Sequence, residues 1–300
     1  RNGADRSMKK CYPEKKEGTL SIWPTANDLF GGDGQMTDIF RCCEDAVLLA
    51  SSGGCSVYQL HNETGEGVMT IYEVFPGVTL SYNDFHMQYY DSRFRPDREV
   101  FCIDHCREGR LEYTSKHDAY SYVEAGDLKL DQRMTHEGRF VLPLSHYHGI
   151  TITFDFKTAC RTMPEQVKDF PVDLRDIRKK FCRDKWPVVL HGESAIEHIF
   201  SELYAVPQKI RLPYFKIKIL ELLLFLEALE LPLTAEEKPY FYIGQVEAVK
   251  AVQQFLAEHM SEDFSQDELA ERFGISQTVM KKCFKSVFGT TIGHGSRSTG

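Results

Sequence analysis

The residues best suited to hold a metal ion form two short groups. His146 and His148 flank a single residue, a spacing that places both imidazoles on the same side of a strand. Cys102, His105 and Cys106 form the second group. A closed zinc site needs two ligand pairs at regular spacing, but the sequence has no Cys-x-x-Cys pair, and no Glu follows the His-x-His pair at close range. We therefore predict neither a metal nor a cofactor.

Catalytic motifs are missing from the sequence. It contains no Gly-x-Ser-x-Gly elbow, no P-loop, no Gly-x-Gly-x-x-Gly and no His-Glu-x-x-His. We predict that the chain is not an enzyme. The alternative is a metalloenzyme in which the C-terminal helices are only structural.

A set of polar residues near the C-terminus has the chemistry of nucleic-acid contact. Amide and hydroxyl groups can hydrogen-bond base edges, and ammonium groups can contact phosphates and guanine. Residues 276–288 carry three lysines and no carboxylate, whereas the preceding stretch is acidic. The predicted DNA-contacting residues are Ser276, Gln277, Thr278, Lys281, Lys282 and Lys285.

These residues require a helix that presents them to solvent, and the local sequence predicts one. Three helices are expected between residues 246 and 289. Ser265 and Glu268 form a capping box, Gly274 supplies a left-handed residue, and Ser276 caps the third helix. Two short helices joined by a tight glycine turn indicate a helix-turn-helix unit. The alternative is a generic three-helix cap with a solvated lysine face.

The composition is that of an ordinary globular protein with a net acidic charge. The 300 residues are 42% hydrophobic and 27% charged, which excludes disordered, collagen-like and coiled-coil classes. The length favours two domains, or one domain with an appendage. The formal net charge of −8, taken alone, argues against a nucleic-acid partner, but that sum hides the basic third helix.

Upstream of these helices the sequence changes from strand-like to helix-like. Short runs rich in Val, Ile, Thr, Tyr and Phe between residues 68 and 156 predict an antiparallel sandwich or small barrel, with one turn at 107–109. After about Pro164 the pattern is helical, so the predicted fold class is α+β. If the strands enclose a pocket, the predicted lining residues are Tyr82, His86, His105, Arg107 and Tyr113. Arg107 could bind a ligand carboxylate; alternatively, the tyrosines are ordinary core residues.

The helix predicted at residues 213–231 has two apolar stripes, whereas a surface helix normally has one. The first carries Ile217, Leu220 and Leu224, and the second carries Leu222 and Leu226. Two stripes need two surfaces to pack against. The helix is therefore either enclosed by its own chain or contributes one stripe to a homodimer.

Membrane insertion and secretion are not predicted. The most apolar stretch, residues 220–229, contains two glutamates and is far shorter than the roughly 20 residues of a spanning helix. Residues 1–16 show no apolar signal-peptide core. Nine cysteines without a paired pattern indicate reduced thiols and a cytoplasmic location.

The C-terminal unit resembles a known family of regulators. Residues 269–276, together with Met280, Cys283-Phe284-Lys285 and Phe288-Gly289, resemble the first helix-turn-helix of AraC/XylS-family bacterial transcription regulators over about 45 residues. The resemblance implies a cupin-like jelly-roll effector domain at 1–165, a linker and dimerisation segment at 166–240, and the DNA-binding unit at 241–293. It also implies base reading by Thr278, Lys281 and Lys282, with Gln277 and Lys285 nearer the DNA backbone.

The resemblance stops before the second helix-turn-helix that the family carries. Residues 294–300 form a glycine- and serine-rich segment without apolar periodicity, which we interpret as a non-native tail on a truncated chain; a natural frameshift would look the same. The family implies a ligand-responsive regulator. Its expected partners are promoter DNA (for the full-length parent), a small-molecule effector and a second copy of the chain. The alternative remains a cupin-like metalloenzyme.

Overall fold

A computed structural model describes residues 46–92, 99–115, 119–133, 138–183, 186–192, 194–230 and 238–292. The strands are β1 (Ala46–Ser52), β2 (Cys55–Asn62), β3 (Gly65–Phe75), β4 (Val78–His86), β5 (Tyr89–Ser92), β6 (Val100–Thr114), β7 (Tyr120–Glu124), β8 (Asp127–Asp131), β9 (Gly138–Val141), β10 (Tyr147–Asp155) and β11 (Val188–His191). The helices are α1 (Phe156–Gln166), α2 (Leu174–Phe181), α3 (Ser194–Ala205), α4 (Arg211–Ala228), α5 (Ile243–Glu258), α6 (Gln266–Arg272) and α7 (Gln277–Phe288). The chain start and the 294–300 tail lie outside the described residues.

The predicted α+β class is confirmed, with an antiparallel β region followed by helices. The main sheet has the strand order β1-β2-β3-β4-β10-β6-β8-β11, and β7 pairs with the distal half of β6. Strands β5 and β9 form a separate two-stranded ribbon. Within the described residues, all pairs between these strands are antiparallel. The sheet therefore brings sequence-distant strands β4, β6 and β10 side by side.

The predicted turn at 107–109 is wrong, because β6 runs continuously through it. The register with β10 shifts between His148 and Gly149, so β6 accommodates an extra residue at Arg107 as a bulge. Gly109 has φ +89°, and a Cβ there would overlap the carbonyl oxygen of His146. The glycine thus permits a close backbone approach next to the bulge, which the sequence pattern does not distinguish from a turn.

The two faces of the main sheet have different neighbours. One face packs on helices α1 to α4 through alternate residues such as Phe101, Ile103, Ile150 and Ile152, all fully buried. The opposite face contributes to a second cluster that includes Leu60, Met69 and Phe85. Burying an aliphatic or aromatic side chain of this size contributes roughly 1.5–3 kcal/mol, so the sheet–helix layer is the main source of stability.

The two apolar stripes predicted for helix α4 have different surroundings in the structure. Leu222 and Leu226 are fully buried in the sheet–helix layer, so they cannot contact a partner, and their predicted role in dimerisation is wrong. Ile217 is 61% exposed and Leu224 is 43% exposed, whereas Leu220 is half-buried against the same layer. The helix ends at Ala228, short of the predicted end: residues 229 and 230 are not helical, and residue 231 lies outside the described chain.

Candidate nucleic-acid interface

The helix-turn-helix unit begins with a capped helix, α6. Ser265 Oγ accepts a hydrogen bond from the Glu268 amide (3.2 Å), and Glu268 Oε2 accepts one from the Ser265 amide (2.7 Å). This reciprocal pair is the predicted capping box, which is confirmed. It satisfies two amide groups that a helix start otherwise leaves without partners.

A short turn then reverses the chain into α7. Gly274 adopts φ +63°, the left-handed conformation predicted for it. The Ile275 amide donates to the Ala270 carbonyl oxygen (3.0 Å), and Ser276 caps α7 by accepting from the Val279 amide. Ala270 is buried where the two helices approach each other. The turn therefore fixes the angle between α6 and α7.

Helix α7 has one apolar face and one basic face. Its apolar face packs into the core of the three-helix unit and is formed by Met280, Cys283, Phe284 and Val287. We call the exposed residues Thr278, Lys281, Lys282 and Lys285 the lysine stripe. Their i, i+3, i+4 and i+7 spacing places them along one side of the helix. With three lysines and no carboxylate, this side presents only positive charge.

The other two predicted contact residues lie at the start of α7. Ser276 is exposed, and its hydroxyl is used as the helix cap. Gln277 is half-buried, and its amide nitrogen donates to Asp267 Oδ1 of α6 (2.9 Å). This bond joins the two helices of the unit, so Gln277 holds the helix pair together while its amide oxygen stays outside that contact.

The C-terminal end of α7 is held by the β region. Arg110 of β6 donates through Nη1 to the Ser286 carbonyl oxygen (2.7 Å) and through Nη2 to Glu124 Oε2 of β7 (2.7 Å). A guanidinium is favourable here because the last carbonyls of a helix lack partners and carry negative partial charge. Gly289 ends α7 at φ +76°, and a Cβ there would lie 2.9 Å from Arg110 Nη2. The glycine is thus favoured by its backbone angle, and a side chain there would also displace the Arg110 guanidinium from the helix end.

Helix α5 is attached to the same hairpin, β6–β7. Lys250 Nζ lies 3.0 Å from Glu112 Oε2, which also accepts from the Tyr122 hydroxyl (2.8 Å). Tyr122 is buried in the core of the three-helix unit, and burial raises the pKa of its hydroxyl. Phe241 and Tyr120 exchange two backbone hydrogen bonds of 2.8 Å each. The hairpin therefore fixes the orientation of the lysine stripe relative to the sheet.

These attachment residues were not predicted from the sequence. Arg110 and Glu112 occupy alternate positions of a strand, so they point to the same side of the sheet. Both are buried, at 8% and 9% exposure. Two buried charged residues on one side of a strand are a signal of a polar interface, but the sequence does not say which element supplies the partners.

Acidic and basic groups continue from Glu124 toward β11. Lys238 Nζ lies 2.9 Å from Glu124 Oε1 and 2.6 Å from Asp127 Oδ2, and His191 Nδ1 lies 2.5 Å from Asp127 Oδ1. Burial alone would raise the pKa of Glu124, but Lys238 and Arg110 overcome this effect and hold it below its ordinary value. We call this series, from His191 to Arg110, the charge chain. It ends at the C-terminus of α7.

A cavity of about 220 Å³ lies at the other end of the charge chain. His191 and Gly126 line it beside Asp127, and His105, Leu128 and Phe200 contribute to its wall. The His105 ring stacks on Phe200 with centroids 4.1 Å apart. Burial, assisted by the charge of Arg107, lowers the pKa of His105 to about 4, so this imidazole is neutral near pH 7.

The predicted effector-binding residues do not line one common pocket in the structure. His105 lines the cavity, and Arg107 lies 4.8 Å from the ring centre of Tyr204, whose hydroxyl is 3.2 Å from His105 Nδ1. Tyr204 was not predicted. Tyr82 is buried in the sheet–helix layer, where its hydroxyl donates to the Leu203 carbonyl oxygen, and Tyr113 packs against the cluster on the opposite face. The last predicted residue, His86, is exposed and lies beside Asp84 and His148.

The opposite face of the sheet buries a charged cluster that was not predicted from the sequence. Arg133 Nη2 contacts both Asp104 carboxylate oxygens (2.6 and 2.8 Å), and Lys129 lies between Asp104 and Asp131. Thr151 donates to Asp104 Oδ1 (2.7 Å). Burial would raise the pKa of Asp104, but Arg133 and Lys129 reverse that effect and lower it. The mutual pairing makes this a structural salt-bridge cluster, since each charge has a partner.

No helix in the described part of the chain has both the length and the apolar character required to cross a membrane.

Comparison with known proteins gives structural similarity at low sequence identity. No protein-family model matches the chain, and none of the curated proteins matches it. ToxT from Vibrio cholerae is similar over 72% of this chain and 76% of that chain, with 8% identity and a TM-score of 0.29. Wild-type ToxT from Vibrio cholerae with a bound unsaturated fatty acid matches over 77% of each chain, with 10% identity and a TM-score of 0.32. An HTH_3 family transcriptional regulator from Vibrio cholerae matches over 29% of this chain and 50% of that chain, with 13% identity and a TM-score of 0.21.

Proposed function

We propose that this protein is a ligand-responsive transcription regulator that binds promoter DNA through helices α6 and α7. The observation that carries the proposal is the lysine stripe. It occupies the exposed side of the second helix of a helix-turn-helix, and the opposite side of α7 is buried in the unit's own core. A helix presented in this way can enter the major groove.

The residues of α7 have distinct roles in this proposal. Thr278, Lys281 and Lys282 lie nearest the base edges, where a hydroxyl can pair with several bases and an ammonium can bind guanine. Lys285 contacts phosphate, together with Ser276 and Gln277 at the start of the helix. Phosphate contacts set the position of the unit on DNA, and base contacts set its sequence preference.

The charge chain supplies a route by which a ligand alters this interface. A ligand in the 220 Å³ cavity would contact His191, which pairs with Asp127 and thereby with Lys238, Glu124 and Arg110. Arg110 in turn holds the end of α7. The cavity is smaller than the roughly 300–1,000 Å³ of drug-sized pockets, so we expect a small effector. Ligand binding would shift the population of α7 orientations.

We further propose that a second copy of the chain covers the outer face of α4. Support comes from Ile217 and Leu224, large apolar side chains exposed on the side away from the chain's own core, with Leu220 beside them. A two-fold dimer would pair this stripe with itself. It would also place two copies of α7 on one DNA molecule, and joining two weakly binding units strengthens their overall binding.

Selection from a random duplex DNA library, followed by affinity measurements at several salt concentrations, tests DNA binding. The test variant is the double change Lys281→Ala and Lys282→Ala. The matched control is Lys179→Ala with Lys209→Ala, which removes the same charge from exposed positions on α2 and beside α4.

The expected result is a loss of affinity for the selected DNA in the test variant and an unchanged affinity in the control. The loss should be larger for the selected DNA than for unrelated duplex DNA, because these two lysines are assigned to base edges rather than to phosphates. If the test and control variants lose affinity equally, the lysine stripe does not bind DNA. If the wild-type chain selects no DNA, the proposed function is wrong for this chain.

A further inference from the structure

Three metal-ligating side chains converge at one end of strands β4 and β10. Asp84 and His86 are two residues apart on β4 and therefore share a face. His148 of β10 is the register partner of Asp84. On its other side, His148 is paired with Glu108 of β6. The antiparallel register thus assembles the group from residues up to 64 positions apart (148 minus 84).

The distances between the three ligand atoms are close to those found between ligand atoms around a bound metal ion. Asp84 Oδ1 is 2.9 Å from His86 Nε2 and 2.8 Å from His148 Nε2, and the two Nε2 atoms are 3.4 Å apart. A tetrahedral zinc ion with bonds of about 2.0–2.1 Å holds its ligand atoms roughly 3.3 Å apart. The histidine pair already has that spacing, and the carboxylate needs to move by about half an ångström.

We propose that Asp84, His86 and His148 form a zinc-binding site. Two imidazole nitrogens and one carboxylate oxygen make up a ligand set that zinc accepts readily. Three protein ligands leave the fourth tetrahedral position for water or another small ligand. The site is open to solvent through His86, whose side chain is 61% exposed, so an ion can enter without unfolding the sheet.

The surroundings of the three ligands favour a cation. Asp84 Oδ1 is buried and lies within ion-pair distance of both imidazoles, so its negative charge is directed at the point where the three side chains meet. Glu108 Oε2 lies 3.9 Å from Nδ1 of His148, on the side of the ring away from the other ligands. At this distance Glu108 makes no hydrogen bond to the ring, but its negative charge adds to the attraction for a cation.

A second group of side chains with metal-binding chemistry consists of Glu124, Asp127 and His191. It differs from the proposed site in having a cationic side chain beside it. There the ammonium of Lys238 already lies between the two carboxylates, at 2.9 and 2.6 Å. A metal ion would have to displace that charge. This second group therefore provides a matched control for the proposed site.

The test is a titration of the whole chain, reduced and freed of metal by a chelator, with zinc chloride in an isothermal calorimeter. Cobalt(II) absorption spectra on the same samples identify the ligand types, because thiolate ligands add a sulfur-to-metal charge-transfer band. The variants are His86→Ala, His148→Ala and Glu108→Gln, with His191→Ala as the control. The exposure of His86 makes its alanine variant compatible with the native fold.

We expect the wild-type chain and His191→Ala to bind one zinc ion at this site with equal affinity and no thiolate band. Removing His86 or His148 should weaken binding by more than about 100-fold, because each removes a ligand. Glu108→Gln removes only a nearby charge and should weaken binding by less than about 10-fold. The proposal is overturned if the wild-type chain binds no stoichiometric zinc, if both histidine variants bind as tightly as wild type, if a thiolate band accompanies binding, or if His191→Ala alone abolishes it.

Discussion

Helices α4 and α7 each bury one side in the protein and expose the other, but their exposed sides have opposite chemistry. The outer side of α4 carries Ile217 and Leu224, which are apolar. The outer side of α7 carries the lysine stripe. Their inner sides are alike, since Leu222 of α4 and Met280 of α7 are both fully buried.

The difference shows that burial explains why both helices fold and that only the outer side distinguishes their roles. Burying exposed leucine and isoleucine against another apolar surface is favourable. Lysines bind phosphate favourably but are destabilising in an interface that excludes water. A net charge of −8 averaged over the chain describes neither helix. The exposed residues of each helix therefore determine the kind of partner it can bind.

The largest effect is expected from placing a charge on the inner side of α4. Leu222→Glu puts a carboxylate among the apolar side chains of the sheet–helix layer. We expect the free energy of unfolding to fall by about 3–5 kcal/mol, because an uncompensated buried charge costs that much. Urea denaturation measures the change. Ile217→Glu on the outer side is the control, and it should stay within about 0.5 kcal/mol of wild type; equal losses would mean that the two sides of α4 are misassigned.

A smaller effect is expected at the helix ends, where the two helices are capped differently. Arg110→Ala removes the cap of α7 and leaves the Ser286 carbonyl without that donor. The expected loss is about 1–3 kcal/mol, since the group lies in a partly buried interface. Lys180 donates to the Leu226 carbonyl oxygen at the end of α4 (2.9 Å), and Lys180→Ala should cost about 0.3–1 kcal/mol. A smaller loss for Arg110→Ala than for Lys180→Ala would show that the β region does not stabilise α7.

The helix-turn-helix could be predicted nearly residue by residue because its signals are local. A capping box needs only Ser265 and Glu268, a left-handed turn needs only Gly274, and the inner side of α7 follows from its 3.6-residue period. The α+β class followed similarly from the switch between strand and helix patterns. Each of these inferences uses residues within a few positions of one another.

The features that were missed depend on contacts between distant residues. The bulge at Arg107 depends on how β6 pairs with β10, and Arg110 is a cap only because α7 ends beside β6. The two stripes of α4 looked equivalent in sequence, and the sheet decided which one to bury. His86 and His148 were separated by 62 residues in the chain before β4 and β10 brought them together. Local periodicity carries no information about such partners.

The smallest change in stability, and the sharpest test of the outer side of α4, is expected for Leu224→Glu. This residue is 43% exposed, so the charge stays in water and the free energy of unfolding should change by at most about 0.5 kcal/mol. In the proposed dimer, however, each subunit would place a carboxylate in the apolar contact, and a charge desolvated without a partner opposes association. Sedimentation velocity over a range of protein concentrations should show a dimer for wild type and a monomer for the variant. Lys216→Glu, on the polar part of the same helix, is the control and should leave the dimer intact. Two outcomes would exclude α4 as the dimer contact: a wild-type chain that sediments as a monomer throughout, or a variant that still dimerises. The apolar outer side of α4 would then have no explanation, unlike the lysine stripe of α7.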